Sequence, residues 1–183
     1  VKSKEKKDKL KTYCLNQSAA NTAQELIVCI ARTDTWKRNN NDIIKYLKSN
    51  KSTPKSAIKY YEKIVPLVYS QGIFGIFGLL KKILIFFIGI FKVIPREPTS
   101  LSDMRVWAHK TTALACENLM LALRAYGYDS CPMEGMDSNR IRRMLNLPKK
   151  AEVCMVISVG KRGNNGVYGK RFRLSSDKNI KII

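Results

Sequence analysis

Three apolar stretches of different character divide the chain. ELIVCIA, residues 25–31, and AEVCMVISVG, residues 151–160, are short, continuous and rich in β-branched residues. Runs of that length without polar alternation predict strands buried on both faces. The third, GIFGIFGLLKKILIFFIGIFKVI, residues 72–94, is the most hydrophobic part of the sequence, and as a helix it is long enough to cross a bilayer. Lys81 and Lys82 lie near its middle and four glycines interrupt it. Each central lysine costs roughly 2.5 to 3.5 kcal/mol on insertion scales. A helix that is buried, covered by a partner or lying in a membrane interface is therefore expected in preference to a span, with Pro95 and Pro98 ending it.

Between these runs the spacing is mostly helical. TDTWKRNNND, 33–42, reads as a loop closing on IIKYLKSN, 43–50, a short amphipathic helix that SNKSTPKS, 49–56, breaks. AIKYYEKIVPLVY, 57–69, grows steadily more apolar. Residues 100–127 carry an apolar face through Met104, Trp107, Leu114, Leu121 and Ala125. They predict one long, centrally buried helix with Ser102 as N-cap and Gly127 as its stop. Asp137 or Ser138 caps a further helix, SNRIRRMLNL, and NIKII, 179–183, reads as a short final strand. Buried strands separated by long helices make an α+β or α/β domain spanning 1–183, with an insertion over about 57–99.

Charge narrows the partners. The net charge is +20, which attracts polyanions, anionic membranes and phosphorylated ligands. Residues 1–11 hold six lysines, and residues 160–183 hold seven basic groups against Asp177 alone. The first cluster reads as a solvated helix face. It lacks interleaved aromatics, and the chain shows no zinc-finger, RNP or helix-turn-helix signature, so specific nucleic-acid binding is not expected. Five cysteines without CxxC spacing give neither a zinc site nor a disulfide framework. Reduced thiols and a lysine-rich start without a following apolar core fit a cytoplasmic protein without a signal peptide.

Side-chain catalysis is poorly supplied. His109 is the only histidine and reads as a satisfied helix residue, so no triad is assembled. Cys131 has no partner base to lower its pKa and reads as packing. Glu134 lacks a well-placed second carboxylate beyond Asp129 and Asp137. YDSCPMEGMD, 128–137, is instead read as non-helical backbone between two helices. Pro132 fixes φ there, and Gly135 supplies a conformation other residues resist. Such a loop can present N–H donors to a planar ligand.

These residues carry a resemblance. LMLALRAYGYDSCPMEGMD, then LPKKAEVCMVISVGKR and GVYGKRFRL, and earlier LNQSAANTAQELIVCIAR, resemble the FMN-dependent nitroreductase family over roughly residues 10–48 and 100–183. The resemblance implies a central, mainly antiparallel sheet flanked by helices. It implies a P-x-E-G loop against the flavin ring, with an amide at or beside Glu134 donating to N5 and Pro132, Met133 and Gly135 shaping the approach. Asn16 matches the flavin-contacting asparagine, and Lys170, Arg171 and Arg173 match the basic residues that hold the FMN phosphate. An intertwined homodimer is implied, reducing nitroaromatics, quinones or similar acceptors with NAD(P)H in a ping-pong cycle and no catalytic side chain of its own. The family's R-R-S-x-R and S-x-x-N-x-Q-P-W type stretches have no counterpart here. Asn16 would lie some sixty residues further in, so those motifs would precede Val1, or the flavin site is built without them. The rival readings are a basic nucleic-acid-binding protein and a protein held at a membrane through 72–94, neither favoured.

Overall fold

The computed structural model describes residues 1–164, 166–167 and 169–183. Helix α1, Lys4–Tyr13, and the short α2, Ser18–Asn21, precede strand β1, Glu25–Arg32. Helix α3, Trp36–Ser49, follows, then α4, Lys55–Lys59, a π-helical turn, Tyr60–Ile64, and α5, Val65–Tyr69. The apolar α6, Ile76–Phe91, leads to the long α7, Leu101–Ala125. Strand β2, Tyr128–Met133, helix α8, Ser138–Met144, strand β3, Ala151–Lys161, and a last turn of helix, α9, Ser176–Asn179, complete the order.

The strands form one antiparallel sheet in the order β1-β3-β2, flanked by helices, which bears out the expected α+β architecture with an antiparallel central sheet. Leu26 of β1 lies opposite Ser158 and Met133 of β2 opposite Val156, with an irregularity between Cys29 and Ile30. β3 is the buried strand its apolar run predicts. It separates two cores. On one face Leu26, Met133 and Val156 pack with Leu10 and Cys14 from the α1 region and Ile141 of α8. On the other, Met155, Ile157 and Val159 pack with Cys116 of α7.

α7 is fixed at both ends by local chemistry. The Ser100 hydroxyl accepts from the Asp103 amide at 3.0 Å, and the Asp103 carboxylate accepts from the amides of Ser100 at 2.9 Å and Thr99 at 2.8 Å. This reciprocal cap satisfies orphan donors of the first turn, and those hydrogen bonds hold the Asp103 carboxyl below its usual range. Ser100, not Ser102, is therefore the N-cap. Gly127, at φ +82°, is the stop expected from sequence. Across the sheet, Arg105 donates twice to Glu152 of β3, at 2.6 and 2.8 Å, and His109 Nε2 lies 3.1 Å from the same carboxylate. His109 is thus the satisfied helix histidine expected.

Several expectations are corrected. YDSCPMEGMD is not loop throughout: its first six residues are β2, an edge strand on which Pro132 is tolerated because its missing N–H faces no partner. TDTWKRNNND is mostly the first turns of α3. NIKII forms no strand and is exposed. α7 is not centrally buried, since only Met104 and Cys116 are buried along it.

The apolar segment is a helix, but within this chain it is not covered: Phe74 is 94% exposed and Phe91 86%. Ile73–Phe91 is long and apolar enough to cross a membrane by length and composition alone. Its two lysines differ. Lys81 is buried and its ammonium donates to the carbonyls of Leu67, Val68 and Ser70 at 3.2, 2.7 and 2.8 Å, a cation on the C-terminal end of α5. Burial lowers its pKa. Lys82 is exposed. Gly78 lets α6 approach closely, because a Cβ there would collide with the Gln71 side chain and the Thr99 carbonyl.

The Arg105 fork holds the Glu152 carboxyl down to about 2 from an ordinary 4.5, with His109 adding to it. A lowered carboxyl pKa gives stability that is complete above the unfolded value and is lost as pH falls through the folded one. Between pH 4.5 and 2 the denaturation midpoint of the wild type should therefore fall more steeply than that of Glu152→Gln. Parallel profiles across that window would remove this ion pair as a link between α7 and the sheet.

Candidate functional site

The P-x-E-G segment leaves the sheet at Met133, which is buried, and residues 134–137 form the connection to α8. Two bonds seat that connection on the corner between α1 and α2. The Asp137 amide donates to the Tyr13 carbonyl at 2.7 Å. The Gln17 side-chain amide donates to the Gly135 carbonyl at 2.7 Å and to the Cys14 carbonyl at 3.0 Å. Asp137 also caps α8, accepting from the Arg140 amide at 3.0 Å. The loop is thereby held at both ends of its four residues.

Asn16 sits in the same corner. Leu15 and Asn16 adopt left-handed φ of 59° and 51°, a conformation asparagine tolerates better than most residues. The Asn21 side chain donates to the Asn16 carbonyl at 2.8 Å and fixes it. Asn16, Glu134 and Gly135 are all exposed. Among the described residues, the Glu134 and Gly135 amides engage no acceptor outside the ladder. Sequence reasoning thus placed Asn16, Met133, Glu134 and Gly135 in one neighbourhood, and the fold brings them together.

Two details differ from expectation. Gly135 has no left-handed φ. A Cβ there would meet the Gln17 amide nitrogen at 3.4 Å, an ordinary van der Waals contact, so neither an unusual turn nor a close approach requires the glycine. Cys131 is exposed instead of packed, its thiol 3.7 Å from the Pro132 carbonyl. The inner thiols are a separate group. Burial pushes Cys29 up to about 12, and burial, with Cys116 and Glu134 nearby, also raises Cys154. Such thiols are poor nucleophiles.

Lys170, Arg171 and Arg173 lie on the exposed C-terminal segment. Arg173 donates to the neighbouring Phe172 carbonyl at 3.0 Å. Among the described residues no hydrogen bond or ion pair joins these three side chains to the loop at 134–137. Gln17 was not singled out from sequence. Its signal was positional: an amide directly after Asn16, at the end of an amphipathic helix, facing a loop with a glycine.

With this geometry in hand, likeness to known proteins is informative. The sequence model of the nitroreductase family matches residues 79–161, from within α6 to the end of β3. Protein DrgA of Synechocystis is 39% identical over 64 residues, which is 35% of this chain and 30% of that protein. The chain therefore spans about a third of that relative's length in the matched stretch. Among solved structures, a nitroreductase-like protein from Streptococcus mutans aligns over 100% of this chain and 74% of its own, with TM-score 0.65 and 21% identity. A protein of Exiguobacterium sibiricum in complex with FMN aligns over 99% of this chain and 73% of its own, with TM-score 0.67 and 20% identity. The chain is similar to the nitroreductase family in sequence across its C-terminal part, and its fold is nitroreductase-like. Residues 79–99, counted from sequence as insertion, lie inside the matched stretch.

Replacing Gln17 by leucine removes both clamp bonds while keeping the side-chain volume close. At about 0.5 to 1.5 kcal/mol for each net hydrogen bond, stability should fall by about 1 to 3 kcal/mol. Amide exchange at 134–137 should speed up while that of β3 stays slow. Unchanged exchange in the loop would show that Gln17 does not hold it.

Proposed function

We propose that this chain supplies the flavin-ring loop of an FMN-dependent oxidoreductase that uses NAD(P)H to reduce nitroaromatics, quinones or similar acceptors. One observation carries the reading: Glu134 and Gly135 are exposed residues whose amides, among the described residues, meet no acceptor in the surrounding loops, on a turn anchored by the Asp137 amide and by Gln17, the residue next to Asn16. Donors of this kind suit the edge of a planar, hydrogen-bonding ring, and fixed dipoles favour the negative charge such a ring takes on. Bound there, FMN supplies the redox chemistry, taking electrons from NAD(P)H and giving them to the acceptor in a ping-pong cycle. Pro132 and Met133 hold the strand end from which the loop departs. Lys170, Arg171 and Arg173 suit a phosphate dianion, because guanidinium forks match its oxygens. The Exiguobacterium sibiricum neighbour, described with FMN, supports the choice of flavin.

The assembly we propose is a homodimer. α6 and the outer face of α7, with Leu114 69% and Leu121 60% exposed, offer more apolar surface than an isolated chain ordinarily leaves in water. A cytoplasmic location fits the five free thiols. The alternative use of α6 is to lie in a membrane interface. Flotation of the intact protein with anionic vesicles, against a defined dimer by light scattering, separates the two.

Purified protein supplied with FMN and then separated from unbound flavin should remain yellow, and NAD(P)H should bleach it. A preparation that is colourless once unbound FMN has been removed by gel filtration defeats the flavin reading. The double change Arg171→Ala and Arg173→Ala should release FMN on dialysis, by at least tenfold in affinity if each lost charge-assisted bond is worth about 1.5 to 3 kcal/mol. Retention equal to the wild type would take those two arginines out of the phosphate site.

A further inference from the structure

A second concavity, of about 580 Å³, opens where β1 ends and β3 begins. It shares no residue with the loop, Asn16 or the C-terminal basic segment. Its volume falls in the range of small-ligand pockets, roughly 300 to 1,000 Å³. Trp36 and Tyr69 form an aromatic wall, their rings edge to face at 5.6 Å, and Met104 adds apolar floor. Trp107 backs the wall, edge to face with Tyr69 at 5.8 Å. The aromatic surface is thus braced from behind by α7.

Its rim is cationic for an identifiable reason. Two acids lie at this end of the sheet, and each is already answered by an arginine. Glu152 is held by the Arg105 fork, and Asp34 by Arg32 at 2.8 and 2.9 Å. Lys37, Lys149 and Lys150 also line the cavity. Among the described residues none of the three takes part in an ion pair. The Lys37 ammonium lies 5.7 Å from the centroid of the Trp36 ring, so charge and aromatic surface are adjacent.

We propose that this cavity binds a planar aromatic molecule bearing a phosphate, its ring against the Trp36–Tyr69 wall and its dianion among Lys37, Lys149 and Lys150. Stacking alone accepts any flat ring, and lysines alone accept any anion. The two together select a compound that has both. A nucleotide and a simple aryl phosphate share this chemistry.

Equilibrium dialysis of adenosine 5′-monophosphate against the full chain, with riboflavin, which has the flavin ring but no phosphate, in excess to occupy any flavin-ring site, tests the proposal. Binding should be at least about tenfold tighter than that of adenosine or inorganic phosphate. Phenyl phosphate binding as well as the nucleotide would identify a general aryl phosphate site, and much weaker binding a nucleotide site. Lys149→Ala with Lys150→Ala should weaken binding by at least about tenfold; both side chains are exposed, so the fold should survive. Trp36→Phe should keep binding and Trp36→Ala should lose it. No saturable nucleotide binding, or equal affinity in the lysine double variant, would overturn the proposal. FMN uptake by the Lys149→Ala, Lys150→Ala double variant, which leaves the loop at 134–137 and the C-terminal basic segment unchanged, reports separately on the flavin reading.

Discussion

The fold depends on the pairing of β3 along both of its edges. A strand with Ala151, Val153 and every residue from Met155 to Val159 buried carries backbone donors and acceptors that no water reaches. Leaving such groups unpaired is costly enough that both neighbours become obligatory. β1 supplies one edge and β2 the other, both antiparallel. The register then determines where everything else emerges. Because Met133 stands opposite Val156, the P-x-E-G turn must leave the sheet five residues after β3 begins. Because β3 begins at Ala151 opposite Arg32, Glu152 is delivered to Arg105 and His109.

That constraint explains which elements were legible in the sequence. β1 and β3 announce themselves as continuous β-branched runs, and α8 by its aspartate cap. β2 does not, because an edge strand needs apolar residues only where it meets a core. Asp129, Ser130, Cys131 and Pro132 carry turn chemistry, and only Met133 is buried. Tertiary pairing with β3 overrides local preference there. NIKII fails in the opposite sense: its residues favour strand, but no edge of the sheet receives them among the described residues. Ser102 was a reasonable cap by type, yet Asp103 can complete the reciprocal bond only with the residue three before it, which is Ser100.

α6 shows how composition and context divide a problem. Its apolar surface was plain from sequence, and so was the difficulty of two central lysines. The structure resolves half of the difficulty inside the chain: Lys81 turns inward to three carbonyls at the end of α5. That bonding compensates the ammonium locally and leaves the rest of the helix almost uniformly apolar. Lys82 remains as an exposed charge of the helix itself, and the Arg96 guanidinium lies further along it, donating to the Ile85 and Gly89 carbonyls at 3.2 and 2.6 Å.

The candidate site was legible in part: Asn16 and the P-x-E-G turn share a corner, while among the described residues Lys170, Arg171 and Arg173 make no bond to it, and the support of the turn was not foreseen. Motif reading put Asn16 beside the P-x-E-G turn; nothing in the motif said that Gln17 would join them. The clamp matters because a backbone donor is useful only when its direction is set before the ligand arrives. A free loop of four residues would surrender conformational entropy on binding. Here Gln17 and the Asp137 amide have already taken that freedom during folding, using carbonyls on elements packed against the sheet core. The side chains around the turn can then be exposed without loss, as those of Cys131 and Pro132 are. What the site requires is the placement of two amides, and that placement traces through Gly135, Gln17 and Tyr13 back to the strand register.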